Sequence, residues 1–243
     1  MLKNKRGSIE TYRLIKSLNK QEILRLSKLT CNCGHSYLAH PHCAIKENII
    51  VETAEGKYKL KEKIGFLDIE TFIFNFRADM GITLCYTIKE LDGKMKTNVI
   101  TPKECALPDK NDKRLITDVI KDMKGYTRLI GHNVGYFDFP FLRTRATYYG
   151  LDFPIYQEIY QTDTWQILKH KFSLKSNSLR NGCQFFGIPC KEHAFNFDIW
   201  YRAAKGSIKD LKHVVVHCEE DVVATEALWK KINSYVAQTK KSI

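Results

Sequence analysis

No stretch of this chain reaches the ~18 consecutive apolar residues that read as a membrane-spanning helix, so no membrane span is expected. Its start, MLKNKRGSIE, is basic and polar and lacks the apolar segment of a secretory signal, which makes a cytoplasmic setting the expectation. Neither an internal repeat nor a low-complexity tract is evident. Acidic residues are in short supply: 27 Asp and Glu against 39 Lys and Arg leave a formal net charge of +12, which suits a polyanionic partner. A disulfide framework is not expected either. Five of the eight cysteines, Cys85, Cys105, Cys183, Cys190 and Cys218, stand singly among apolar neighbours and read as reduced core thiols.

The chain does have room for an enzyme. At 243 residues and 44% hydrophobic it can bury one sizeable core plus a small appendage. Within it, an apolar run ends in two carboxylates, IGFLDIET, and reads as a buried strand tipped by Asp68 and Glu70. Residues two apart on a strand point to the same side. Two like charges held on one face repel and lose hydration, so a purely structural strand would avoid the pair. Divalent cations relieve that cost. Hard oxygen ligands suit Mg²⁺ or Mn²⁺, and two such ions can stabilise the attacking and leaving oxygens of a phosphodiester.

Two further phrases follow in order: GHNVGYFDFPFL, with Asn133, Phe137 and Asp138, and HCEEDVVATEALW, with His217 and Asp221. Each phrase alone has an ordinary structural reading. Asp68 and Glu70 could be solvated charges, Asp138 a helix start before Pro140, and His217–Asp221 a surface helix pair. Taken together, Asp-x-Glu on a strand, Asn-x-x-x-Phe-Asp-x-Pro, and a helix with an Asp four residues past an aromatic position resemble the DEDD 3′→5′ exonucleases. The resemblance is greatest to the proofreading domains of family-B DNA polymerases and their stand-alone bacterial and phage cousins. It covers roughly residues 62–235.

The resemblance implies an α/β, ribonuclease H-like fold: a mixed five-stranded sheet flanked by helices. It implies removal of 3′-terminal nucleotides from nucleic acid, single-stranded DNA ends above all, in a bacterial or phage-infected cell. A replication or repair partner would be of unknown identity. Carried over by position, Asp68, Glu70, Asp138 and Asp221 would hold two Mg²⁺ or Mn²⁺, and Thr71, Asn133 and Phe137 would contact the substrate strand. One position departs from the pattern. The polymerase-type branch has Tyr four residues before the last Asp and the other main branch has His five before it; here His217 takes the Tyr spacing and Val216 the His position. Residues four apart share a helix face, so His217 is expected as the base or water-orienting group. An RNA-directed exonuclease on the same fold, and an inactive nucleic-acid-binding scaffold, are the alternative readings.

The other three cysteines cluster with histidines in TCNCGHSYLAHPHC, six soft ligands in thirteen residues. Four suffice for one structural Zn²⁺. Cys31, Cys33, His40 and Cys43 are the expected set, with His35 as the alternative ligand. Similar clusters precede the nuclease domain in some phage relatives, as the resemblance suggests. Residues 1–60 are thus expected as a basic helical zinc module and 61–243 as the exonuclease domain. Thirteen Lys and Arg against six Asp and Glu give residues 1–63 a charge of +7, which either guides a phosphate backbone or is simply solvated. Two short helices are expected around Asn19, a hairpin over ENIIVETAEGKYKLKEK, a strand over 64–69, and a hairpin about the Asp92-Gly93 turn. Helices are expected from NDKRLITD, capped by Asn111 or Asp112, to Gly125, after Ser176–Ser178, and from Ile208 to Ser234, with a strand over TRLIGHN. Gly131 and Gly135 are expected to leave room for a substrate end to approach the backbone.

Overall fold

The computed structural model describes residues 3–73, 77–107, 111–189, 194–236 and 241–243. Cys190 lies outside them. The chain divides into two compact units, Met1–Glu62 and Lys63–Ile243. The hairpin reaches past residue 60, because the Lys61 N–H donates to Ile49 O at 2.9 Å.

The first unit contains α1 (Lys3–Ser17), α2 (Lys20–Lys28), α3 (Pro41–Lys46) and the strands β1 (Ile50–Glu52) and β2 (Tyr58–Leu60). Asn19 separates the first two helices because its side chain caps α2: it accepts from the N–H groups of Gln21 and Glu22, while Glu22 reaches back to the Asn19 N–H. β1 and β2 form an antiparallel hairpin whose turn holds Gly56 at φ +72°. A small core gathers Leu14, Leu18, Leu26, Tyr37, Ile50 and Tyr58 around the buried Cys31 and Cys43.

In the second unit β3 (Ile64–Ile73), β4 (Gly81–Glu90), β5 (Met95–Val99), β6 (Arg128–Gly131) and β7 (Tyr160–Asp163) form one sheet in the order β5-β4-β3-β6-β7. β3, β4 and β5 pair antiparallel, whereas β6 and β7 run parallel to β3. This is the mixed five-stranded sheet expected. Flanking it are α4 (Pro102–Cys105), α5 (Lys113–Met123), α6 (Asp138–Tyr148), α7 (Thr164–Lys171), α8 (Leu179–Phe185), α9 (Phe197–Ala204) and α10 (Ile208–Ile232). The main core packs Leu67, Ile69, Leu84 and Ile88 of the sheet against Leu115 and Val119 of α5, Phe139 and Leu142 of α6, and Val214 and Cys218 of α10. No helix among the described residues is long and apolar enough to cross a membrane.

Three details differ from the sequence reading. β3 does not stop at residue 69. A bulge shifts the register after Glu70, from Glu70 opposite Cys85 to Thr71 opposite Thr83, so that Leu84 is the extra residue and the strand continues to Ile73. Asp112 stands at the start of α5 but its carboxylate does not cap it. Buried completely, it takes the Arg145 guanidinium at 2.5 Å, the Thr83 N–H at 2.8 Å and the Tyr149 hydroxyl, because an isolated buried charge costs more than a lost cap. Gly131 offers no room to a substrate. A Cβ there would lie 2.6 Å from Val134 Cβ and 2.9 Å from Leu67 O, so the glycine serves close packing of the loop on β3. At Gly135 a Cβ would meet only the far end of a side chain, Gln161 Oε1 at 3.1 Å, so that position is less tightly filled.

Candidate active site

β3 presents Asp68 and Glu70 to the face on which α10 lies: Cys218 Sγ donates to Asp68 O at 3.5 Å. Four residues apart on α10, His217 and Asp221 share one face. His217 Nε2 lies 3.3 Å from Glu70 Oε1 and 3.7 Å from Asp221 Oδ2. The ligand atoms of Glu70, His217 and Asp221 all fall within 4.8 Å of one another. Asp138, at the first turn of α6, joins from the other side. Its Oδ1 accepts the Ile69 N–H at 3.2 Å, which ties α6 to the strand between the two β3 carboxylates.

The electrostatics are those of a cluster short of positive charge. Burial, then Glu70, Asp138 and Asp221, hold the Asp68 carboxyl well above the usual carboxylate range. Burial likewise pushes Asp138 up to about 7, against the pull of the Ile69 N–H and with Asp163 and Asp221 adding to the rise. Asp68 Oδ2 is buried with no hydrogen-bond partner among the described residues. A lone buried carboxylate oxygen surrounded by three more carboxylates fits a divalent cation, which would satisfy that oxygen and cancel the repulsion.

The three expected substrate contacts lie around this cluster without joining it. Thr71 follows the bulge, opposite Thr83. Asn133 adopts φ +69° in the loop after β6; its N–H donates to Asp163 Oδ1 at 2.9 Å and its carbonyl accepts from Tyr136 and Phe137. Phe137 packs on Phe141 and lines a cleft of about 440 Å³ with Arg77, Asp79, Tyr136, Pro140 and Thr144.

Two residues not singled out from sequence shape the site. Asp163, at the end of β7, accepts from Asn133, Gly135 and Trp165 and so pins the Asn133 loop. Its signal was faint, a lone Asp before Thr-Trp in a four-residue strand. Trp200 of α9, almost wholly buried, donates its indole N–H to Glu70 Oε2 at 3.1 Å and sets its ring edge-on to His217 at 4.9 Å. No spacing rule links it to residues 130 positions away.

In the first unit Cys31, Cys33, His40 and Cys43 converge, their ligand atoms within 4.8 Å of one another. Cys33 and Cys43 Sγ are 3.8 Å apart, and His40 Nδ1 is 3.7 Å from Cys31 Sγ and 3.5 Å from Cys43 Sγ. Tetrahedral Zn²⁺ with Zn–S bonds of about 2.3 Å sets its sulfurs about 3.8 Å apart, so the donor set fits that ion. His35 stands outside this group and lies against the His40 ring at 4.6 Å. Burial raises the Cys31 thiol, but hydrogen bonds with His40 and the backbone outweigh it and bring it down to about 7. Cys43 goes the other way, pushed up to about 11 by burial and its sulfur neighbours.

The fold and the acidic cluster define a class. The model of the RNase_H superfamily matches residues 65–233, most of the chain, and the protein belongs to that superfamily. Among solved structures it is similar to the family B DNA polymerase from the hyperthermophilic archaeon Pyrobaculum calidifontis, at 17% sequence identity and a TM-score of 0.57. The likeness covers 72% of this chain and 25% of that one, so the chain spans about a quarter of the polymerase's length, and at this identity the likeness is one of fold. No curated protein sequence matches the chain.

Proposed function

We propose that the protein is a metal-dependent 3′→5′ exonuclease that removes nucleotides from single-stranded DNA ends. One observation carries this reading: four carboxylates from β3, α6 and α10 gather in one cluster in which the buried Asp68 Oδ2 has no hydrogen-bond partner among the described residues. Asp68, Glu70, Asp138 and Asp221 would hold two Mg²⁺ or Mn²⁺, which when bound supply a nucleophilic hydroxide and neutralise the departing oxygen. The protein's own part is placement. Ile69 N–H and Trp200 N–H fix the carboxylates of Asp138 and Glu70, and His217 acts on the attacking water, either directly or through an ion it ligates. Thr71, Asn133 and Phe137 would seat the 3′ end, with the cleft beside Phe137 taking a terminal nucleotide. Cys31, Cys33, His40 and Cys43 would bind one structural Zn²⁺ in the basic first unit, which is proposed to steer a phosphate backbone.

The test is digestion of end-labelled single-stranded DNA and RNA with Mg²⁺ or Mn²⁺ added or withheld. Loss of the 3′ label first, on DNA and only with metal, is expected. Equal digestion in EDTA overturns the metal-dependent reading, and preference for RNA replaces the substrate. Binding without digestion turns the protein into a scaffold.

A further inference from the structure

His217 Nε2 lies within 4 Å of both Glu70 and Asp221. We infer that it is itself a ligand: His217 Nε2 completes, with Glu70 and Asp221, a mixed nitrogen–oxygen site that selects Mn²⁺ over Mg²⁺. This rests on the reading that the carboxylate cluster binds divalent cations.

Geometry comes first. The Nε2 atom faces two carboxylate oxygens at 3.3 and 3.7 Å, and the three ligand atoms lie within 4.8 Å of one another. Six-coordinate ions with bonds of about 2.1 Å place adjacent ligands about 3.0 Å apart and opposite ones about 4.2 Å apart. The two separations from Nε2, 3.3 and 3.7 Å, fall inside that range. An ion held between the Glu70 and Asp221 oxygens on the side that faces α10 would have Nε2 within reach as a third ligand. A nitrogen bound to a metal has no lone pair left for a proton of water, so ligation and base catalysis at this atom exclude each other.

The surroundings hold the imidazole in that role. His217 is only 4% exposed, and the Trp200 ring stands edge-on beside it at 82°. The same indole N–H engages Glu70 Oε2, while Oε1 faces Nε2 at 3.3 Å. Trp200 thus orients two members of the set at once, the task that outer partners perform in metal sites.

Ligand chemistry supplies the selectivity. Mg²⁺ keeps to oxygen ligands and demands a tight octahedron, whereas later divalent ions accept imidazole readily. A tyrosine at this helical position could orient water but would offer no such nitrogen.

The experiment needs no nucleic acid. Full-length zinc-loaded protein is titrated with Mn²⁺ and with Mg²⁺ by calorimetry, and the Mn²⁺ complex is read by electron spin echo modulation, which reports directly bound imidazole nitrogen. Wild type should bind Mn²⁺ at least ~10-fold more tightly than Mg²⁺ and show the ¹⁴N modulation. In His217→Tyr the modulation should vanish and the Mn²⁺-to-Mg²⁺ affinity ratio should fall. Mn²⁺ bound without ¹⁴N modulation in wild type, or modulation that persists in His217→Tyr, overturns the inference while leaving the nuclease reading intact. Nitrogen ligation in a protein that digests nothing keeps the inference and removes the nuclease reading. Failure to bind Mn²⁺ at all removes both.

Discussion

The two units carry two clusters of metal-binding character, and they differ in what the protein does for the ion. In the first unit the ligands are soft, three thiols and an imidazole, set in a core of a few buried residues. So small a core leaves little margin, and a bound Zn²⁺ contributes its binding energy to folding. In the second unit a full sheet and the helices that flank it already fold the chain and force hard carboxylates together. There the scaffold supports the ion site at a cost to its own stability. Ligand loss should therefore have opposite signs in the two places, destabilising the first unit and relaxing the second.

The strongest break of that comparison is chemical. Asp68→Asn or Asp221→Ala should lower metal-dependent digestion by more than ~10³-fold, since a catalytic metal contributes several kcal/mol and about 4 kcal/mol is ~10³ in rate. Single-turnover rates at saturating Mg²⁺ check this. Digestion within tenfold of wild type would remove the carboxylates from the mechanism.

His217→Ala should cost about 10²–10⁴-fold, whether the imidazole meets the water or holds the ion that binds it. His217→Tyr should recover part of the rate, because a phenol can still orient water, but it should do so without the preference for Mn²⁺. Turnover near wild type in His217→Ala would show that α10 contributes only Asp221.

What was legible from sequence and what was not follow the range of the interaction. Asp68 and Glu70 could be paired from the strand period alone, and His217 with Asp221 from the helix period, because each pair lies within one element. Asn19 as a helix boundary was readable for the same reason. The bulge after Glu70 was not, since it depends on how β4 places Leu84 opposite β3. Asp112 looked like a cap by position, but its fate was set by Arg145, 33 residues away. Trp200 carried no pattern at all, because its role rests on one indole N–H meeting Glu70 across the fold. Of the two histidines expected near zinc, only geometry separates His40, among the sulfurs, from His35, whose ring lies tilted against it outside the group.

Cys43→Ser sharpens the comparison at the level of folding. It removes one of four donors from a unit with little other core, so amide protection across residues 20–60 should collapse while Lys63–Ile243 keeps its own. Hydrogen exchange read by mass spectrometry resolves the two units. Metal analysis should return one zinc per wild-type chain and none in the variant. Unchanged protection in the first unit after zinc removal would show that its apolar core suffices.

The smallest effect is the sign of stability against pH in the second unit. Unfolded Asp titrates near ~3.9, whereas burial and neighbouring carboxylates raise Asp138 to about 7 and Asp68 well above the ordinary range. Between about pH 4 and 7 these two groups hold more protons in the folded state than in the unfolded one, so their contribution to stability without Mg²⁺ falls as pH rises. Glu104 and Asp210, drawn down to about 2 by Arg114 and Arg202, act oppositely, but their contribution is lost only below about pH 4. Asp138→Asn removes one of the raised groups. Its advantage over wild type should be smaller at pH 4.5 and grow to a few kcal/mol, to order of magnitude, at pH 8. Thermal melts of zinc-loaded protein dialysed free of Mg²⁺ measure this. Saturating Mg²⁺ should reverse the ranking, because the ion stabilises wild type by mass action and has lost a ligand in the variant. A variant advantage that is constant with pH would mean that Asp138 is charged in the folded protein throughout, with some other group supplying the compensation.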